Sequence, residues 1–151
     1  MHVMIALDLS ESSPATLEGG LALAIGLSAE VTLIHVGAPE PGFVGYDVGP
    51  ATVRQAVAND LRREHRELDV FRQQVEQRGL IARALMVQGA TVERLLQQVA
   101  RLMPDYLVVG TSGHSLLHDV VVGSVTRDLL RSVSIPVLVV PTGAPHEAVA
   151  P

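Results

Sequence analysis

A chain of 151 residues, 48% of them apolar, has the length of one domain and can bury a full core, which must be aliphatic because only Phe43, Phe71, Tyr46 and Tyr106 are aromatic. It holds no cysteine and no lysine, all eleven basic residues being Arg; this excludes disulfides, thiolate metal sites, Schiff-base chemistry and a P-loop lysine. A formal charge of −5 argues against nucleic acid as a partner, and without a basic leader or an apolar run near the ~20 residues of a membrane span the expectation is a cytoplasmic protein with no membrane contact.

Val3 to Leu7 reads as a buried strand ended by Asp8, and Leu9 to Ser13 as a turn. Ser13 then Pro14 marks a helix start, with Ser as N-cap and Pro at the first helical position. Leu17, Leu21, Ala24 and Ile25 share one face of that helix. Gly19 and Gly20 inside it cost about 1 kcal/mol each relative to Ala, which points to close packing on a sheet. Gly26 is the expected stop. Val31 to Val36 is the second strand. Residues 37–50, with three prolines and four glycines, read as a mobile surface loop long enough to cover a site. A long helix follows from Thr52 to about Arg78, with a mixed-charge outer face of the kind solvent keeps. Ile81 to Val87 is a third strand, and its Arg83 and the following Gln88 suggest a sheet edge. A helix carrying Val92, Leu95, Leu96, Val99 and Leu102 ends at Pro104. Tyr106 to Val109, a helix over 124–132 and Ile135 to Val140 complete the domain at about 141, and 142–151 reads as a disordered tail. Strands alternating with helices make a parallel sheet covered on both faces. Ligands of such sheets bind beyond the carboxyl ends of the strands, where strand order reverses.

The stretch between the fourth strand and the fourth helix carries the chemistry. Gly110 and Gly113 break the apolar run, nine residues follow, and Gly123-Ser124 opens the helix. Glycine lets backbone N–H groups approach a ligand, and an open helix start adds unpaired N–H groups and the positive end of the helix dipole. Together these form a phosphate cradle. The spacing matches neither the Walker nor the Rossmann glycine pattern. Asp8 has two readings from the residues alone. It can accept from a nucleotide or help hold Mg2+, or it can cap the turn by accepting from the Ser10 or Glu11 N–H.

Gly-x-x-Gly, nine residues, then Gly-Ser resembles the ATP-binding signature of the universal stress protein family, and the likeness runs from Val3 to about Val140. The resemblance implies an α/β fold, Rossmann-like or adenine nucleotide alpha hydrolase-like, with a five-stranded parallel sheet of order 3-2-1-4-5 and helices on both faces. The strand order then reverses between Asp8 and Gly110. It implies ATP as ligand, with Mg2+ held weakly through Asp8. Leu7 and Asp8 lie beside the nucleotide, Val36 and Val109 face the adenine with their backbone groups, and Gly110, Ser112, Gly113, His114, Gly123, Ser124, Val125 and Thr126 wrap ribose and phosphates, with Ser124 and Thr126 bonding phosphate oxygens. Two departures stand out. Leu9-Ser10 replaces the family's usual Gly-Ser, and no Arg lies between Gly110 and Thr126, where only His114 and His118 can become positive. Those two histidines are four apart, with no third metal ligand evident. His35, inside the second strand, reads as a core or rim histidine. No Ser-His-Asp arrangement is identifiable.

The resulting expectation is a nucleotide-binding, stress-responsive regulatory module with slow or no ATP hydrolysis, since no catalytic base or arginine finger is identifiable. A dimeric interaction or scaffold protein that binds no nucleotide is the alternative. The last strand is apolar and at an edge, so it needs a partner. As in the family, a homodimer through Val137, Leu138, Val139 and Val140 is expected.

Overall fold

The computed structural model describes residues 1–39, 51–111 and 122–142, with the side chains of 51–54 excepted. The greater part of the expected covering loop, the tail from 143 on, and Ser112, Gly113, His114 and His118 lie outside the described residues. The elements are β1 (His2–Ala6), α1 (Ser13–Leu27), β2 (Glu30–Gly37), α2 (Ala51–Gln77), β3 (Ala82–Gln88), α3 (Thr91–Leu102), β4 (Tyr106–Gly110), α4 (Ser124–Ser132) and β5 (Val137–Val140). The strands form one sheet in the order β3-β2-β1-β4-β5, and every pairing is parallel. Ile5 sits at the centre of the register, opposite Leu33 on β2 and Val108 on β4.

Strand residues alternate between faces, and each face is closed by its own helices. Val3, Ile5, Leu7 and Leu33 join Leu17 and Leu21 of α1 and Leu68 and Val75 of α2 in one core. Met4, Ile34, Leu107 and Val109 join Leu95 and Val99 of α3 and Leu129 of α4 in the other. Burying each of these large side chains stabilises the fold by about 1.5–3 kcal/mol before the entropy of ordering it. Among the described residues no helix is long and apolar enough to cross a membrane.

The glycines of α1 mark where it touches the sheet. A Cβ on Gly19 would lie 2.6 Å from Val140 Cγ2, and one on Gly20 would lie 2.5 Å from Ile5 Cδ1. The close-packing expectation therefore holds for both. The helix boundaries differ from the sequence reading. Ser12, not Ser13, is the N-cap, its side chain caps nothing, and Pro14 falls one place further in. Ser13 is diverted because its hydroxyl is bonded to Asp8. Gly26 does not stop the helix; Ser28 does, at φ 50°, with its N–H donating to Ile25. The left-handed turn falls where the Ala29 N–H reaches back to the Ala24 carbonyl, and a serine tolerates it there. β3 is an edge strand, as its polar residues suggested. β5 begins at Val137 and not at Ile135, because Pro136 has no N–H for the ladder and contributes only its carbonyl, to Leu107.

Candidate functional site

The reversal in strand order falls between β1 and β4, and a cavity of about 230 Å³ opens there at the carboxyl ends of β1, β2 and β4. It brings together Leu7, Asp8, Val36, Val109, Gly110, Val125 and Thr126 from the sequence-derived set. Gly123 and Ser124 stand beside them as the cap and first residue of α4. A larger groove of about 490 Å³ lies between α2 and β3, lined by Arg62, His65, Met86 and others. That groove is on the outer edge of the sheet, away from the reversal point and the glycine motif.

The rim on the β1 side is a closed hydrogen-bond unit. Asp8 Oδ1 accepts from the Ser10 N–H at 3.0 Å, the Ser10 hydroxyl at 2.6 Å and the Ser13 hydroxyl at 3.0 Å. The proton of Ser10 is thereby committed, so in the 2.8 Å pair of Ser10 and Ser12 hydroxyls Ser12 donates. Leu9 takes φ 59° to let the chain turn this sharply, which costs a non-glycine residue free energy. Burial pushes the Asp8 carboxyl up, but the bonds from Ser10 and Ser13 outweigh it and hold it below the usual carboxylate value. The turn-cap reading of Asp8 is thus realised through Ser10, with Ser13 added and without Glu11. All three bonds fall on Oδ1, and among the described residues none falls on Oδ2.

The rim on the β4 side is held differently. The Thr126 hydroxyl donates to the Gly110 carbonyl at 3.0 Å, tying the start of α4 to the end of β4. Thr126 is buried at 3% exposure, whereas Ser124 is exposed. The Thr126 hydroxyl, expected on a phosphate, here places its single proton on the Gly110 carbonyl and acts as a clasp. Glycine at 110 also has a reason within the chain. A Cβ there would collide with Thr16 Oγ1 of α1 and lie 2.9 Å from Thr142 Cγ2, so the close approach is between parts of the chain itself. Thr111 fixes the same corner by donating its N–H to Val140 at 2.9 Å and accepting the Thr142 N–H at 3.0 Å.

Gly123 caps α4 at φ −58° and ψ 160°, and among the described residues no side chain satisfies the first N–H groups of the helix. Ser124, Val125 and Thr126 have no residue four back inside the helix to bond, so among the described residues their N–H groups have no helical partner, and the helix dipole points the same way. Asp8 and His35 are the only residues with ionisable side chains among the described lining, and none is Arg. No group of three His, Asp or Glu side chains able to hold a metal occurs among the described residues. The zinc reading of His114 and His118 and the cradle roles of Ser112, Gly113 and His114 fall outside the described residues. Sequence reasoning missed Ser13 and Thr16 as supports of the rims. The Ser13-Pro14 pair hid one as a helix cap, and a threonine inside a helix gives no signal for the other.

A model of the universal stress protein family matches residues 1–141. Universal stress protein YxiE of Bacillus subtilis is 24% identical over 143 residues, covering 91% of this chain and 97% of that protein. Two solved universal stress proteins share the fold. One is a complex with cAMP, at TM-score 0.70 and 23% identity, covering 94% of this chain and 97% of that chain. The other, from Archaeoglobus fulgidus in complex with dAMP, has TM-score 0.68 and 15% identity, covering 93% of this chain and 97% of that chain.

Proposed function

Because the chain belongs to the universal stress protein family, we propose that its crevice takes an adenine nucleotide, ATP in the first instance, and that the protein works as a cytoplasmic nucleotide-sensing module in the stress response. One observation carries this reading. The start of α4, with no side-chain cap among the described residues, lies at the cavity where β1 and β4 part, and such a helix start offers N–H groups and a helix dipole to an anion. The adenine would lie against Val36 and Val109, with Leu7 beside it and the ribose over Gly110. The phosphates would meet the N–H groups at Gly123, Ser124, Val125 and Thr126 and the stretch holding Ser112, Gly113 and His114. Asp8 Oδ2 would help hold an Mg2+ ion shared with the phosphate oxygens. Hydrolysis would be slow or absent, because the described lining supplies no Arg to neutralise a transferring phosphoryl group. The complexes of two relatives with cAMP and dAMP support an adenine ligand.

The half-exposed apolar edge of β5 favours a homodimer in which Val137, Leu138, Val139 and Val140 pair with a second copy. The same shortage of basic groups favours the second reading, a dimeric scaffold that binds no nucleotide. Mass spectrometry of ligand retained through native purification, followed by calorimetric titration with ATP, separates the two. Retained adenine nucleotide, or saturable binding at a Kd of about 100 µM or tighter, supports the first. An empty protein that stays dimeric and gives no heat with ATP supports the second.

A further inference from the structure

Two hydrogen-bond acceptors face each other beside the crevice. His35 of β2 is buried at 6% exposure, and its Nδ1 lies 2.8 Å from the Leu7 carbonyl oxygen. A carbonyl only accepts, so Nδ1 carries the proton and Nε2 of the neutral ring is a bare lone pair. Nε2 has no hydrogen-bond partner among the described residues, and Glu64 Oε2 of α2 stands 3.7 Å from it. A lone pair facing a carboxylate repels; a proton on Nε2 turns the same geometry into an imidazolium–carboxylate pair. Glu64 is seated against the strand backbone, since a Cβ on Gly37 would lie 3.2 Å from its Oε2.

The surrounding charges are few. Just beyond β1, Asp8 lines the same cavity, and its Oδ1 is bonded to Ser10 and Ser13. From β3 the register partner is Met86, which is neutral. The start of α1 presents Ser12, Ser13 and Thr16, also neutral. From α2 comes Glu64, while Arg62, His65 and Arg66 line the outer groove with Met86 and Gln88. Glu64 is therefore the carboxylate placed directly against the ring, while the basic groups of α2 lie on its exposed side. Within the described lining of the crevice, His35 is the one residue that can become positive.

We propose that His35 and Glu64 form a proton-operated link between the crevice and helix α2. An anionic ligand in the crevice recruits a proton from solvent to His35 Nε2, and Glu64 holds the imidazolium so formed. The Leu7 carbonyl keeps its bond from Nδ1 throughout, so the ring stays in place while its charge changes. Ligand affinity then rises as pH falls, and binding tightens α2 against the sheet. This regulation rests on the nucleotide reading of the site.

Calorimetry of the full chain with ATP at pH 6, 7 and 8, in two buffers of different ionisation enthalpy, measures the protons taken up per ligand bound. Wild type should take up more protons at pH 7 than His35→Gln, whose amide still donates to Leu7 but cannot be protonated there. The ratio of affinities at pH 6 and pH 8 should be about threefold or more larger in wild type than in the variant. The titration of ATP itself is common to both and drops out. Circular dichroism checks the variant's fold, and Glu64→Gln, which alters a partly exposed side chain, should also flatten the pH slope. In ligand-free protein, ring 15N shifts should report the Nδ1–H tautomer at pH 8, and Glu64→Gln should make the protonated ring harder to form. Equal proton uptake and equal slopes in wild type and both variants, or a ring titration indifferent to Glu64→Gln, overturn the link. Absence of ATP binding at every pH overturns the nucleotide reading and ligand control with it, while the ring titration still decides whether the pair exists.

Discussion

The two rims of the crevice are built from the same kinds of residue and left in opposite states. On the β1 side the polar groups satisfy one another: Asp8 takes Ser10 and Ser13, Ser10 takes Ser12, and the Ser13 N–H is bonded to the Ser10 carbonyl. Pro14, in the first turn of α1, has no N–H to offer. On the β4 side a single hydroxyl, that of Thr126, clasps the strand to the helix, and the cap of α4 is a glycine with no side chain. A helix start attracts an anion only if its N–H groups are unused. The comparison favours α4 over α1 as the place for the anion of the proposed ligand.

The largest test of this contrast is Gly110→Val. A side chain there must displace Thr16 of α1 and Thr142 beyond β5, so stability should fall by about 3 kcal/mol in urea unfolding, at the upper end of overpacking costs. A variant as stable as wild type would mean that the close approach at 110 is not between parts of the chain. Next comes the clasp. Thr126→Val removes a donor to the Gly110 carbonyl and should cost about 1–2 kcal/mol, while Ser124→Ala, at an exposed position, should stay within about 0.5 kcal/mol. If Ser124→Ala proves the more damaging of the two, the roles of those hydroxyls are reversed. The smallest effect belongs to the closed rim. The Asp8 carboxyl is held below its ordinary value in the folded chain, so its contribution is complete above about pH 3.9, its value in an unfolded chain. That contribution is lost as pH falls further, through the lower folded value. Between pH 5 and 3 wild type should lose slightly more stability than Asp8→Asn, by less than about 1 kcal/mol because the residue is exposed. Identical acid sensitivity of the urea midpoints would show that the Ser10 and Ser13 bonds do not favour the charged form.

Much of this was legible before the coordinates. Short aliphatic runs such as Val3 to Leu7 and Leu107 to Val109 have strand length, and the stripe through Leu95 and Val99 has helical period. Each element therefore announced itself by how it hides apolar surface. Arg83 and Gln88 marked β3 as an edge because a charged strand cannot be covered on both sides. The glycine pattern pointed to the open end of β4. Helix boundaries were less legible: Ser13 has the chemistry of a cap, but Asp8, five residues back, competes for its hydroxyl.

What the sequence determined by itself is the set of elements, their alternation and the position of the glycine motif, because these depend on local period and on residues near in the chain. What only the tertiary structure decided is how individual polar atoms are used. Gly110 is required by Thr16, Thr126 is claimed by the Gly110 carbonyl, and His35 is caught between Leu7 and Glu64, at sequence separations of 28 and 29. Those pairings follow from which face of α1 or α2 meets which strand. A hydroxyl has one proton and an imidazole two ring nitrogens, so the neighbour that packing brings closest determines whether either is left for a ligand.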